Sequence, residues 1–294
     1  MAVRARRARQ ERRKLLAPYL LLLPGGLWLG VLFVVPIAVM ASISLQTGNL
    51  IEGFRQTFHF ATYWDGVTLY RAQLVRSLEF GFIATVASLL ISYPMAYWIA
   101  FRGGRHKSTF LLLILLPFFV SFVIRVLSWQ FILADQGILF GTLKSLGLLP
   151  RNFHVLATPF AVVCGLTYNF FPFMALPLYV SLERIDRRLV EAAGDLYASR
   201  TQTFLRVVFP LSVPGIFAGI LLTFIPAVSD PLNAAILGGI GTTMIGNIIQ
   251  TQFLVNNAFP MASALSFILM AGLLLGVFAY ARVLGTEQVG EYVA

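Results

Sequence analysis

"RRLVEAAGDLYASRTQTFLRVVFPLSVPGI", residues 187–216, runs from a charged amphipathic segment into an apolar one, and its reading decides what kind of chain this is. In a soluble domain it would be one surface helix among many. Here it joins two long apolar runs, 155–182 and 207–228, in a chain of 294 residues that is 58% hydrophobic and 12% charged, with a mean hydropathy of +0.82. Soluble domains carry about 25% charged residues. The question is therefore why so oily a chain keeps one charged helix between its apolar segments.

Working outward, six runs approach the roughly 20 residues needed to cross a hydrocarbon core about 30 Å thick. They cover 15–45, 78–101, 108–134, 155–182, 207–228 and 258–281. The pattern predicts an all-α membrane protein with six transmembrane helices. Pro24, Pro36, Pro94, Pro117, Pro172, Pro177, Pro214 and Pro226 fall inside the runs. Kinked spans follow, because neighbouring helices and local backbone adjustment satisfy the carbonyls that each proline frees.

The net charge of +10 would suit a nucleic-acid binder, but its distribution gives a different answer. With both termini on one side, that side carries Arg4, Arg6, Arg7, Arg9, Arg12, Arg13, Lys14, Arg102, Arg105, Lys107, Arg184, Arg187, Arg188, Arg200, Arg206 and Arg282. The other side carries only Arg55, Arg71, Arg76, Lys144 and Arg151, and Arg125 lies within the third run. Basic residues accumulate in cytoplasmic loops, so both termini are expected in the cytoplasm and no nucleic-acid partner is implied. The Arg-rich start reads as an anchor on anionic lipid. As a signal peptide it has too long an apolar run and lacks a clear small-residue cleavage site. Cys164, the one cysteine, cannot form an internal disulfide.

This divides the chain into a basic cytoplasmic segment 1–14, a six-span domain 15–284 with a cytoplasmic loop at about 184–206, and a cytoplasmic tail 285–294. The connection 46–77 is expected to fold onto the outer surface. "GILFGTLKSLGLLP" (137–150) has the apolar spacing of a short interfacial helix ended by Pro150. "GGIGTTMIGNIIQTQFLVNN" (238–257) is too polar and glycine-rich for a span and reads as re-entrant or interfacial.

In the opening stretch, Asp186 can cap a helix that begins at Arg187, and Arg187 with Glu191 makes a spacing-four pair. Leu189, Val190, Ala192 and Ala193 give the helix a small, partly apolar face. These residues alone leave two readings open: a helix floating on headgroups, or one offered to another protein.

Glu191, Ala192 and Ala193, then Asp195 and Leu196, then Phe204, Val207 and residues 210–216 resemble the EAA loop of permease subunits of binding-protein-dependent ABC importers. The resemblance implies a type I importer fold and makes Glu191, Ala192, Ala193, Gly194, Asp195 and Leu196 the helix that couples to an ATPase. Where the family usually has Gly, six residues after the motif's Glu, this chain has Tyr197. "YPMAYWIA" (93–100), "LPFFVSFVIRVLSWQFILADQGIL" (116–139), "YNFFPFMALPLYVSLERID" (168–186) and "FIPAVSDPLNAAILGG" (224–239) look like the spermidine/putrescine branch, although Ser229, Asp230, Pro231 and Leu232 depart from its pattern. The resemblance implies two cytoplasmic ATPase subunits binding ATP and Mg, a second, related but different permease, an extracytoplasmic substrate-binding protein, and a bacterial inner membrane.

No ATP site and no catalytic group is expected in the chain itself. "GGRHKST" (103–109) imitates a phosphate loop but has His106 where Gly should precede the lysine and follows no strand. His59, His106 and His154 are scattered without metal-ligand spacing. Ionisable and aromatic groups in or beside the spans are the solute-path candidates, because leaving a charge in hydrocarbon costs at least about 2.5 kcal/mol. They are Asp230, Asp135 and Glu79 for a polycation, and Trp129, Tyr168 and Phe171 as cation–π faces. Each also has a structural reading: Asp230 and Asp135 as solvated helix-end acids, Glu79 as a partner of Arg76 or Arg125, and the aromatics as packing. Arg125 itself is expected to pair with an acid. Gly26 with Gly30, and Gly215 with Gly219, have the spacing of close helix contacts.

Overall fold

A computed structural model describes residues 2–150 and 152–284, with side chains from Leu22 to Arg282; Arg151, the tail 285–294 and the side chains of the basic segment 1–14 lie outside the described residues. Helix dominates, as composition requires. Six helical segments are long and apolar enough to cross a membrane: Leu22–Ser44, Arg71–Arg102, Phe122–Ser145, Pro159–Glu183, Arg200–Ser229 and Phe259–Arg282.

The first helix, α1 (Ala2–Ser44), leads into a hairpin of β1 (Gln46–Asn49) and β2 (Gly53–Gln56), with Thr47 opposite Arg55. Asn49 Oδ1 accepts the backbone N–H groups of Ile51 and Glu52 at 3.0 and 2.9 Å, which closes the turn. The next helix, α2 (Ala61–Leu69), packs along α13 (Phe259–Leu284), and the Phe54 ring lies 5.4 Å from that of Phe259. The 46–77 connection is thus a folded cap on the start of the last helix.

The core is built by α3 (Arg71–Arg102), α7 (Pro159–Glu183) and α10 (Phe209–Ser229), which pack on one another. Between lipid-soluble helices, association rests on close packing and on hydrogen bonds rather than on expelled water. Small residues accordingly line the contacts: Ala84, Ala96, Ala100, Ala175, Ser88, Ser92 and Ser212 are buried. Tyr93 OH meets Ser212 Oγ at 2.8 Å, joining α3 to α10. A Cβ on Gly215 would sit 2.4 Å from that of Ser181, and one on Gly219 would sit 2.7 Å from Met174 Sδ, so this pair marks a true α7–α10 contact. Gly26 and Gly30 meet nothing within 4 Å, so the same spacing in α1 makes no contact among the described residues.

Pro94, Pro172, Pro177, Pro214 and Pro226 all lie inside continuous helices. The third run behaves otherwise. It is not one span over 108–134: α4 (Lys107–Leu115) passes into a 3-10 turn at Leu116–Phe119, Val120 and Ser121 are extended, and α5 (Phe122–Leu133) starts afresh. Twelve residues rise only about 18 Å, so α5 alone is too short to cross. A further helix, α6 (Ile138–Ser145), follows it and ends before Pro150. Gly147, at φ 71°, stops α6: its N–H bonds the Lys144 carbonyl and that of Leu148 bonds Leu143. This Gly-terminated double bond closes the last turn without help from the proline.

After α10, the chain forms α11 (Leu232–Leu237), a 3-10 turn at Ile240–Thr242, and α12 (Ile245–Leu254). Met244 and Ile245 are fully buried, and α12 packs on α13 and α3. The polar segment 238–257 is therefore part of the packed body.

Candidate coupling site and solute path

The opening stretch folds into α8 (Arg187–Asp195) and α9 (Arg200–Thr203), then a π-turn at Phe204–Val208 that runs into α10. Asp186 Oδ1 accepts the Arg188 N–H at 3.0 Å, satisfying a donor that the first turn leaves unpaired. At the other end the Tyr197 N–H reaches the Gly194 carbonyl at 2.9 Å and the Ala198 N–H reaches that of Ala193 at 3.0 Å. This closure requires a left-handed residue, and Tyr197 supplies it at φ 59°. A side chain there costs roughly 1–2 kcal/mol that glycine would avoid. Ser199 and Gln202 then bond reciprocally to each other's backbone and start α9.

The two sides of α8 differ. On the inward side Ile185, Val190 and Phe204 join a cluster with Ala96, Ala100, Leu182 and Val208, drawn from α3, α7 and the π-turn. The Phe204 ring stands edge-on to Tyr93 at 5.6 Å and to Tyr97 at 6.0 Å. Arg187 forms no ion pair with Glu191; its Nη2 donates instead to the Ala100 carbonyl at 3.4 Å, at the end of α3 where unpaired carbonyls attract a cation. On the outward side Arg188, Glu191, Ala192, Gly194, Asp195 and Leu196 are exposed, while Ala193 is half-buried. A load applied to the exposed face would reach the ends of α3, α7 and α10 together. Beside it, Lys107 Nζ bonds both Glu183 oxygens at 2.8 Å, so the phosphate-loop imitation at 103–109 is a clamp between α4 and α7.

The solute-path candidates are not gathered in one place. Asp135 is spent on Lys144, whose Nζ lies 2.9 Å away. Glu79 is exposed and pairs with neither Arg76 nor Arg125; Arg76 donates to the Thr243 carbonyl at 3.0 Å. Asp230, 5% exposed, is a buried junction. Its Oδ1 accepts both the backbone N–H and the Nδ2 of Asn233, at 2.7 and 3.0 Å, and Asn169 Nδ2 donates to Asn233 Oδ1 at 3.1 Å. Burial pushes the Asp230 carboxyl above its ordinary value, with the bonds from Asn233 and Leu232 opposing that rise. The spacing of Asp230 and Asn233 in sequence was a signal for this turn; the arrival of Asn169 from α7 was not legible.

Trp129 and Tyr168 meet edge to face with ring centroids 5.3 Å apart, packing α5 on α7, and Phe171 lies half-buried one turn further along α7. Arg125 has no acid. Its guanidinium carbon lies 4.4 Å from the Phe118 ring and 5.4 Å from Phe122, with Nε and Nη1 buried and unpartnered. The break at 116–121 accounts for this, since it places Phe118 beside the first turn of α5. An apolar groove of about 670 Å³ between α1, α10, α12 and α13 is lined by none of the acidic candidates.

The model of the family described as binding-protein-dependent transport system inner membrane component matches residues 15–284. The chain is 36% identical over 256 residues to the spermidine/putrescine transport system permease protein PotB of Haemophilus influenzae, an alignment covering 87% of this chain and 90% of that one. Among solved structures it is similar to a bacterial ABC transporter involved in the import of the acidic polysaccharide alginate, with a TM-score of 0.69 at 19% identity over 93% of this chain and 96% of the other. A second structure of a bacterial alginate ABC transporter, in complex with an alginate-bound periplasmic protein, gives 0.68 at 21% identity, covering 92% and 94%. The structural likeness speaks to the fold.

Proposed function

The chain belongs to the inner membrane components of binding-protein-dependent transport systems, and from that premise we propose that it is the permease subunit of an ATP-driven polyamine importer, with α8 as its coupling helix. The observation that carries the reading is how α8 is held: Glu191 and Asp195 are exposed, while Val190 on the helix and Ile185 and Phe204 on its flanks are rooted in the α3–α7–α10 core. A helix resting on lipid would turn its apolar residues outward. This one roots Val190 in the core and presents Glu191, Asp195 and small side chains together with the exposed Leu189 and Leu196.

In this reading both termini and α8 are cytoplasmic. Two ATPase subunits hold the ATP and Mg, a different but related permease completes the pore, and an extracytoplasmic binding protein delivers the solute. Closure of the ATPase pair on ATP draws on the exposed face of α8. The inward side passes that displacement to α3, α7 and α10, and the bundle changes from inward-open to outward-open. Polyamine is the solute named for the permease of Haemophilus influenzae to which this chain is 36% identical.

Replacing Glu191 with Lys tests the coupling role. We expect the variant chain to insert normally and to lose its ATPase on purification of the membrane complex; retained association and transport would overturn it. A second reading, an importer of another small solute, is favoured by the burial of Asp230 within its bonds to Asn233, which keeps that acid from a polycation in this conformation, while exposed Asp135 is paired with Lys144. Uptake of labelled spermidine and putrescine by cells carrying the whole transporter separates the two.

A further inference from the structure

Two residues at the end of α8 are placed against their backbone preferences, and no contact among the described residues explains either. Gly194 lies inside the helix, where alanine would be better, and a Cβ there would meet nothing within 4 Å. Tyr197 occupies the left-handed position that closes the helix, with its side chain 97% exposed. Its ring therefore does nothing in this chain to offset the strain of its backbone. Leu196, beside it, is also an exposed large apolar residue. The strip is continuous with the exposed charges of Glu191 and Asp195.

Strain that the surrounding fold does not repay points to a role in a complex. Tyrosine is also among the side chains that dominate protein interfaces, offering a large rigid surface at a cost of only two rotatable bonds. Gly194 complements it, since a missing Cβ lets a partner's backbone come close.

We propose that Tyr197 is a specificity-determining contact with the ATPase subunit, its ring seated in an apolar recess of that partner while the partner's backbone passes over Gly194. This rests on the reading of α8 as the coupling helix. It goes beyond that reading in assigning to this residue a recognition role that glycine at the same position could not perform. The backbone at 197 is set by the bonds from Tyr197 and Ala198 to the Gly194 and Ala193 carbonyls, so the Cα–Cβ bond leaves the tip of the helix in a fixed direction.

The test uses the full permease chain, purified with its partner permease in detergent and titrated with the purified ATPase. Tyr197→Gly is compatible with the backbone, so folding is preserved. It is expected to raise the melting midpoint of the free permease complex while weakening ATPase binding by about tenfold or more. Tyr197→Phe keeps the ring and should bind as the unmodified chain does. Gly194→Ala should also stabilise the free chain and weaken binding. Unchanged ATPase affinity in Tyr197→Gly would overturn the contact, whatever its melting midpoint. Glu191→Lys, run in parallel, separates the two levels: if it loses binding and Tyr197→Gly does not, only the contact fails, and if both bind normally, the coupling role fails with it.

Discussion

At the residue scale, Asp230 asks whether a carboxylate beside a transmembrane helix serves a solute or the chain. Its Oδ1 already accepts two bonds from Asn233, and it is nearly excluded from solvent. Asparagine can accept the same two bonds without the cost of a buried charge, whereas alanine leaves Asn233 with unpaired donors. Asp230→Asn is therefore expected to match or exceed the native stability at neutral pH, and Asp230→Ala to lower it by about 1–3 kcal/mol. Thermal melts of the detergent-solubilised chain check both. The sign of the pH effect follows from the raised carboxyl: the folded state holds its proton more tightly, so stability is highest below the ordinary carboxylate range. It declines as pH rises through that range to the elevated value, and Asp230→Asn should abolish this decline. Polyamine uptake lost in Asp230→Asn while stability is kept would assign the acid to the solute instead.

At the element scale, the α7–α10 seam depends on Gly215, where the added Cβ of any other residue would press on Ser181 and on the Pro177 carbonyl at 2.9 Å. Gly215→Val is expected to cost at least about 1–3 kcal/mol, read as a lowered melting midpoint, whereas Gly26→Val in α1 should leave the isolated chain unaffected. Both glycine pairs look alike in sequence; only the presence of a neighbouring helix tells them apart. The same limit explains the third run. Pro94, Pro172 and Pro214 sit in unbroken helices, yet the segment around Pro117 breaks, because what tolerates a proline is the packing around it rather than the residue. By contrast the start of α8 was legible to the residue, because an Asp cap and an amphipathic period are local properties. Its partners were not. The choice of Arg187 for the Ala100 carbonyl over Glu191, and of Arg125 for Phe118 over any acid, depends on helices distant in sequence.

At the scale of the whole molecule, this is a transport component whose described residues form one helical body around α3, α7 and α10, with α1 resting chiefly on α13 and otherwise exposing Trp28, Phe33 and Val34. Reconstituted alone in vesicles with ATP on either side, the chain is expected to accumulate no polyamine; uphill uptake by the isolated chain would contradict the proposed division of labour. The π-turn has a geometric consequence for that assembly. The Phe209 N–H reaches back five residues to the Phe204 carbonyl, so this turn stores one residue more than an α-turn holds. Excising one residue from 204–208 would take up that slack and leave a plain α-helix with both flanks near their present phase, whereas the same excision in the regular part of α10 would swing everything upstream by about 100° about its axis. Glu191 and Tyr197 would then aim in a different direction, every side chain intact and only their phase lost.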